Sequence, residues 1–229
     1  MTVLAVITAV VGLAYLVYRH REDQKTVRAR RAAFFNDCRT VLDDPKLALD
    51  VFGYPTITGT YEGEPIRADV VVDGMALRKL PSLWLRVTLQ APVATGSAVD
   101  IMMRPSGAEF FSPFDTLSER LDTPANWPER AVIRCDDPAN IPPPESIQPH
   151  VDILDEAKAK ELLITPKGVR IVWQADEAQR GDYLLLRQAR FEVVQFDRER
   201  FVDLVRRCIA VRHALETGAT KEMLREAAA

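Results

Sequence analysis

Seventeen uncharged residues, TVLAVITAVVGLAYLVY from Thr2 to Tyr18, open the chain with apolar side chains at every helical angle. A helix rising about 1.5 Å per residue would carry them roughly 26 Å, a little short of a ~30 Å hydrocarbon core. Tyr15 and Tyr18 fall at one end, where aromatic rings favour the lipid–water boundary, and the bases that follow can snorkel to extend the span. A buried core helix would carry a polar face, and none is visible beyond Thr2 and Thr8. A cleaved leader would end in small residues, whereas this run ends in YRHRED. The pattern predicts a single-pass transmembrane anchor over residues 1–18.

Helical spacing continues through residues 19–43, where no Pro or Gly occurs and Phe34, Phe35, Cys38, Val41 and Leu42 extend an apolar face. Asp43, Asp44 and Pro45 stop this helix, and Pro45 suits the first position of a short helical KLALDVF turn. Residues 19–53 are thus expected to form a helical juxtamembrane neck. From Tyr54 the period changes to two. In Pro65–Val72 the side chains of Ile66, Ala68, Val70 and Val72 share one face, opposite Arg67 and Asp69. In the next run Leu83, Leu85, Val87 and Leu89 oppose Trp84, Arg86 and Thr88. Glu62-Gly63-Glu64 joins Thr56–Tyr61 to Pro65–Val72 as a hairpin, and Val99–Arg104 and Arg130–Cys135 read as further strands. Residues 54–137 are expected to be an antiparallel β-rich lobe with one covered face.

Within that lobe Pro105–Pro128 is a long connection, its DTLSERL stretch suited to a helical turn or two capped by Asp115. Its aromatic residues Phe110, Phe111, Phe114 and Trp127 can cover the core or contact a partner or ligand. Residues 138–150, with prolines at 138, 142, 143, 144 and 149, predict an extended linker. Residues 151–229 predict a second α+β lobe: a helix over Asp152–Leu163, strands over Gly168–Gln174 and Tyr183–Val193, and a helix from Arg198 capped by Asp197. Phe201, Leu204, Cys208, Val211 and Leu215, spaced 3, 4, 3 and 4 apart, form the apolar stripe of that last helix. The fold class is α+β: an N-terminal helix, then a body of antiparallel strands with flanking helices. The body is either one domain or two small lobes.

Charge adds a direction. Six bases (Arg19, Arg21, Lys25, Arg28, Arg30, Arg31) but only two acids fall in residues 1–35, although the whole chain carries −3. Bases flanking a span stay on the cytoplasmic side, so the N-terminus is expected outside and the body in the cytoplasm. The same six bases can meet anionic head groups at the membrane surface. An acidic total argues against nucleic-acid binding. With 47% hydrophobic and 28% charged residues, a disordered chain is excluded. Cys38, Cys135 and Cys208 are odd in number and widely separated, which predicts buried thiols rather than a disulfide or zinc framework.

Catalytic and cofactor patterns are missing. His20, His150 and His213 show no metal-ligand or nucleophile spacing, and no phosphate-cradling glycine motif occurs. Asp43-Asp44 and Asp136-Asp137 are read as turn and cap residues. The expectation is a non-enzymatic accessory protein of a bacterial inner membrane, without cofactor or metal. It would serve a membrane protein complex as scaffold, assembly factor or auxiliary subunit, with a protein partner there. The alternative is a membrane-tethered module that binds a lipid or small ligand.

Overall fold

The computed structural model describes residues 2–74, 80–107, 109–186 and 189–227. Among the described residues there are nine strands: β1 Asp43–Leu49, β2 Pro55–Tyr61, β3 Glu64–Asp73, β4 Ser82–Leu89, β5 Val99–Met103, β6 Glu119–Leu121, β7 Ala131–Cys135, β8 Ala159–Thr165 and β9 Gly168–Glu177. They form one antiparallel sheet in the order β1-β2-β3-β4-β9-β8-β5-β7-β6. The β2–β3 hairpin turns through Glu62 and Gly63, both with positive φ (52° and 83°), so its two-residue loop matches the strand twist. Gly168 is required for another reason: a Cβ there would lie 2.1 Å from the Leu89 carbonyl oxygen of the neighbouring strand. The lobes expected at 54–137 and 151–229 share this sheet, because β4 of the first pairs with β9 of the second from Ser82↔Glu177 to Leu89↔Val169.

Among the described residues there are four helices: α1 Thr2–Ala32, α2 Pro144–Ile147, α3 Arg180–Leu186 and α4 Arg198–Ala227. Asp197 caps α4 as expected, its Oδ1 accepting from the Arg200 amide at 2.7 Å. The stripe Phe201, Leu204, Cys208, Val211 and Leu215 is buried to 2% exposure or less, and α4 packs with it across β4 and β9. Leu85, Val87, Leu89, Ile171 and Val169 meet it from the sheet. After α1 two 3-10 turns carry Phe34, Phe35 and Cys38 into this core, where Phe34 stacks on Phe196 and Phe35 lies against Phe201. All three cysteines are buried free thiols, as read from their spacing.

Several elements differ from expectation, and in the strands among them tertiary pairing outweighs local pattern. The helical neck ends at Ala32, and KLALDVF is largely strand, its Lys46 and Leu47 paired with Thr58 and Ile57. The helix expected over Asp152–Leu163 is a 3-10 stretch over Gln148–Asp155 followed by β8, which is buried on both faces and so loses its period. The strand expected at Tyr183–Val193 begins instead as α3; its residues 187 and 188 lie outside the described part. DTLSERL splits into a 3-10 turn at Phe114–Thr116 and β6. The expected proline linker is no extended spacer. It folds into a 3-10 turn and α2, and Ile147 packs into the core beside α4.

The run expected to be an anchor is the first half of α1. Residue 1 and the side chains of residues 2, 3 and 5 lie outside the described part. Among the described residues no helix is long and apolar enough to cross a membrane.

Candidate functional site

Three arginines fasten the neck to the body. Arg28 donates to the Val51 carbonyl at 2.7 Å and Arg31 to the Phe52 carbonyl at 2.6 Å. Arg30, on another side of α1, donates to the Glu192 carbonyl at 2.8 Å. Arg31 also sits over the Tyr54 ring, 4.5 Å from its centroid. Of the six bases read as a membrane-surface set, these three therefore contact the body. Arg19 and Arg21 are exposed, and Lys25 pairs with Glu22 one turn away.

Where the neck meets the sheet a cleft of about 1110 Å3 opens. One wall is α1 and the turn after it, through Val27, Arg30 and Phe34; the others are Val70, Val72 and Leu83 from β3 and β4, Phe110, and Phe191 and Val193 before α4. Its charges balance: Arg30, Arg31 and Arg190 lie along it with Asp23, Asp50 and Asp182. Asp50 is spent on structure, its Oδ1 accepting from the amides of Phe52 and Tyr54, and Asp182 faces Arg190 at 3.6 Å. Burial raises the Tyr54 phenol, an effect Arg31 opposes and Asp50 reinforces. Among the described residues neither histidine nor cysteine lines the cleft. The arrangement suits an amphiphile: apolar walls with mixed polar groups at the rim.

The opposite face of the sheet is covered by the connection 104–128, which acts as a flap. Phe111 lies 5.4 Å from Trp84 with Val172 and Val71 around them, and Phe114 lies under the Arg134 guanidinium. Trp127 reaches the main core and donates to Gln148 at 2.6 Å. Of the four aromatic residues singled out in this segment, three are buried and only Phe110 is exposed, at the cleft.

No protein-family model matches the chain, and no curated protein matches its sequence. One solved structure is similar in shape. It is the mycobacterial trehalose monomycolate transport factor A, TtfA, at a TM-score of 0.42 and 10% identity, over 82% of this chain and 94% of that one. A likeness this distant carries no functional argument.

Beneath the flap lies a polar group that the sequence pattern did not reveal. Asp100 and Glu161, both fully buried, face Ser112, whose Oγ is 3.0 Å from Asp100 Oδ2 and 2.9 Å from Glu161 Oε1. Arg170 donates to the same Glu161 oxygen at 2.8 Å. One hydroxyl proton serves one carboxylate at a time, so the two acids compete for Ser112. Burial drives the Asp100 carboxyl well above the usual range, and the Glu161 charge pushes the same way. The Ser112 hydroxyl and the Arg170 charge pull Asp100 the other way without offsetting its burial. Nearby, a bulge at Ala159–Glu161 turns Lys160 towards the root of the flap. There Lys160 donates to the Met103 and Arg104 carbonyls and to Glu109 Oε1 at 2.9 Å. Arg86, paired with Asp69, adds a bond to the Phe111 carbonyl. Lys160 and Glu161 fall within Asp152–Leu163, where the sequence predicts a helix, so its pattern does not mark them as buried strand residues.

The remaining candidates are structural where they stand. Asp136 accepts from Ser97 and the Ala98 amide, and Asp137 caps the turn at Ala139 and Asn140. His20 lies on α1, His150 in the 3-10 stretch after α2 and His213 on α4. Among the described residues no group of three or more His, Cys, Asp or Glu side chains is placed to hold a metal ion.

Proposed function

We propose that this chain is a single-pass accessory protein whose body stands on the cytoplasmic side of a bacterial inner membrane, without catalysis of its own. It would serve a membrane complex there as scaffold, assembly factor or auxiliary subunit. One observation supports the anchor: ten large apolar side chains between Leu4 and Tyr18 are exposed, pointing to every side of α1. Each large apolar side chain left in water forgoes roughly 1.5–3 kcal/mol of burial. A docking partner would cover one stripe of such a helix; hydrocarbon surrounds it completely. Arg19 and Arg21 follow the run directly, where each base near an anionic surface is worth about 1 kcal/mol and holds its flank in the cytoplasm.

Alkaline carbonate washing should leave the full chain in the membrane pellet, with a C-terminal fluorescent reporter bright and a phosphatase fusion silent. Release into the wash would overturn the anchor, and an active phosphatase the orientation. Affinity purification from solubilised membranes should return a recurring membrane-protein partner. Recovery of the chain alone at native expression would count against the accessory role.

The neck cleft favours a second reading, in which the anchored body binds a lipid or another small amphiphile. Native mass spectrometry of the purified chain distinguishes them. A persistent adduct lost on filling the cleft with Val72→Trp supports binding, and a clean unliganded mass at all detergent levels speaks against it.

A further inference from the structure

Outside α1, the exposed large apolar side chains among the described residues are confined to residues 49–52, Phe110 and residues 184–194. Isolated exposed apolar residues need no explanation, whereas a cluster at one end of a molecule does. All of these stretches border the neck. Val51 and Phe52, 76% and 66% exposed, follow β1 and are held by Arg28 and Arg31. Leu184 and Leu185, 57% and 84% exposed, lie on α3, which contributes Asp182 to the cleft. The opposite wall of that cleft begins at Asp23 of α1, five residues beyond Tyr18, or about 7.5 Å of helical rise.

We propose that the body itself rests on the lipid surface through this apolar collar, with Val51 and Phe52 on one side of the neck and Leu184 and Leu185 on the other. The inference builds on the anchor reading and adds a second, peripheral contact. The neck is gripped from two sides, by residues 51–52 through Arg28 and Arg31 and by Glu192 through Arg30. A surface that meets an emerging helix on both sides at once is the plane from which that helix emerges. Exposed Arg19 and Arg21 directly follow the apolar run, where bases can meet anionic head groups. The leucines of α3 would sit at the boundary of head groups and acyl chains, as interfacial helices do, about 5–10 Å deep.

The test uses the full chain in vesicles of mixed anionic and zwitterionic lipid carrying a nitroxide quencher on the upper acyl chain. A polarity-sensitive dye is attached in turn to Phe52→Cys, Leu185→Cys, Leu16→Cys in the anchor and Arg120→Cys on β6. The native thiols are buried, so the dye goes to the introduced ones. β6 is the far edge of the sheet, eight strand spacings from β1 or roughly 40 Å. Dyes at 52 and 185 should be quenched at least about twofold more than the dye at 120 if they reach the interface. Quenching at 16 with 52 and 185 indistinguishable from 120 overturns the collar and leaves the anchor standing. Absence of quenching at 16 overturns both. Collar dyes that become shielded, yet unquenched, only when a protein co-purifies would assign the surface to that protein and overturn the lipid contact.

Discussion

Glu109 is a carboxylate kept charged inside the protein. Burial alone would raise it, but the bonds from Lys160 and Ser106 outweigh that cost and bring it down to about 2. Its ionised form is favoured by folding, so its contribution is complete above the unfolded value of about 4.5 and is lost as pH falls towards 2. Urea unfolding of Glu109→Gln between pH 2 and 7 should show a flatter acid limb than the parent chain. Lys160→Ala leaves the carboxylate without its cation and should cost about 3 kcal/mol at pH 7. Asp100 has the opposite sign. With its folded pKa raised, its favourable contribution is complete below the unfolded value of 3.8 and is lost as pH rises through the folded one. Asp100→Asn keeps an amide oxygen to accept from Ser112 and cannot ionise, so its stability relative to the parent should improve as pH rises above about 4. Glu161→Gln strands the Arg170 charge and should lose roughly 3 kcal/mol over the same range.

Among the elements, α4 combines a cap, a stripe and an outer face, and each can be tested separately. Leu204→Ala removes a fully buried side chain facing β4 and β9 and should cost roughly 2–5 kcal/mol. Asp197→Ala removes the cap and should cost about 1 kcal/mol. On the outer face, Arg206 donates to the Tyr61 hydroxyl at 2.8 Å and lies over its ring, so Arg206→Ala should cost no more than about 0.5–1 kcal/mol. Melting curves of the three variants should rank in that order. A mild Leu204→Ala would mean that the stripe does not hold α4 to the sheet. The stripe, the cap and the Glu62-Gly63 hairpin were readable because each depends on neighbours within a few positions in the chain. β1 and β8 are not legible in the local pattern because their partners are distant: Leu47 is a strand residue because Ile57 lies beside it, and Leu162 because Ile171 does.

At the scale of the whole molecule, the core residues come from residue 34 onward, and α1 before Arg28 makes no tie to the sheet among the described contacts. A variant lacking residues 2–18 should therefore melt cooperatively at an unchanged Tm and remain monodisperse without detergent. Aggregation or a lowered Tm would show that the apolar run packs on the body. Read alone, the amino-acid sequence determined the α+β class, the hairpin, the period-two strands before residue 90, the capped C-terminal helix with its buried stripe, and the free buried cysteines. Those features follow from side-chain periodicity and backbone preference, which are local. Tertiary structure alone decided that segments on both sides of the proline stretch join one sheet, that Phe111, Phe114 and Trp127 turn inward while Phe110 stays out, and that Arg28, Arg30 and Arg31 bind backbone carbonyls of the body. It also brought Asp100, Ser112, Glu161 and Arg170 together beneath the flap. A strand's two edges accept any partner of suitable register, and a buried charge is placed by groups tens of residues away, so neither choice is written in the local pattern.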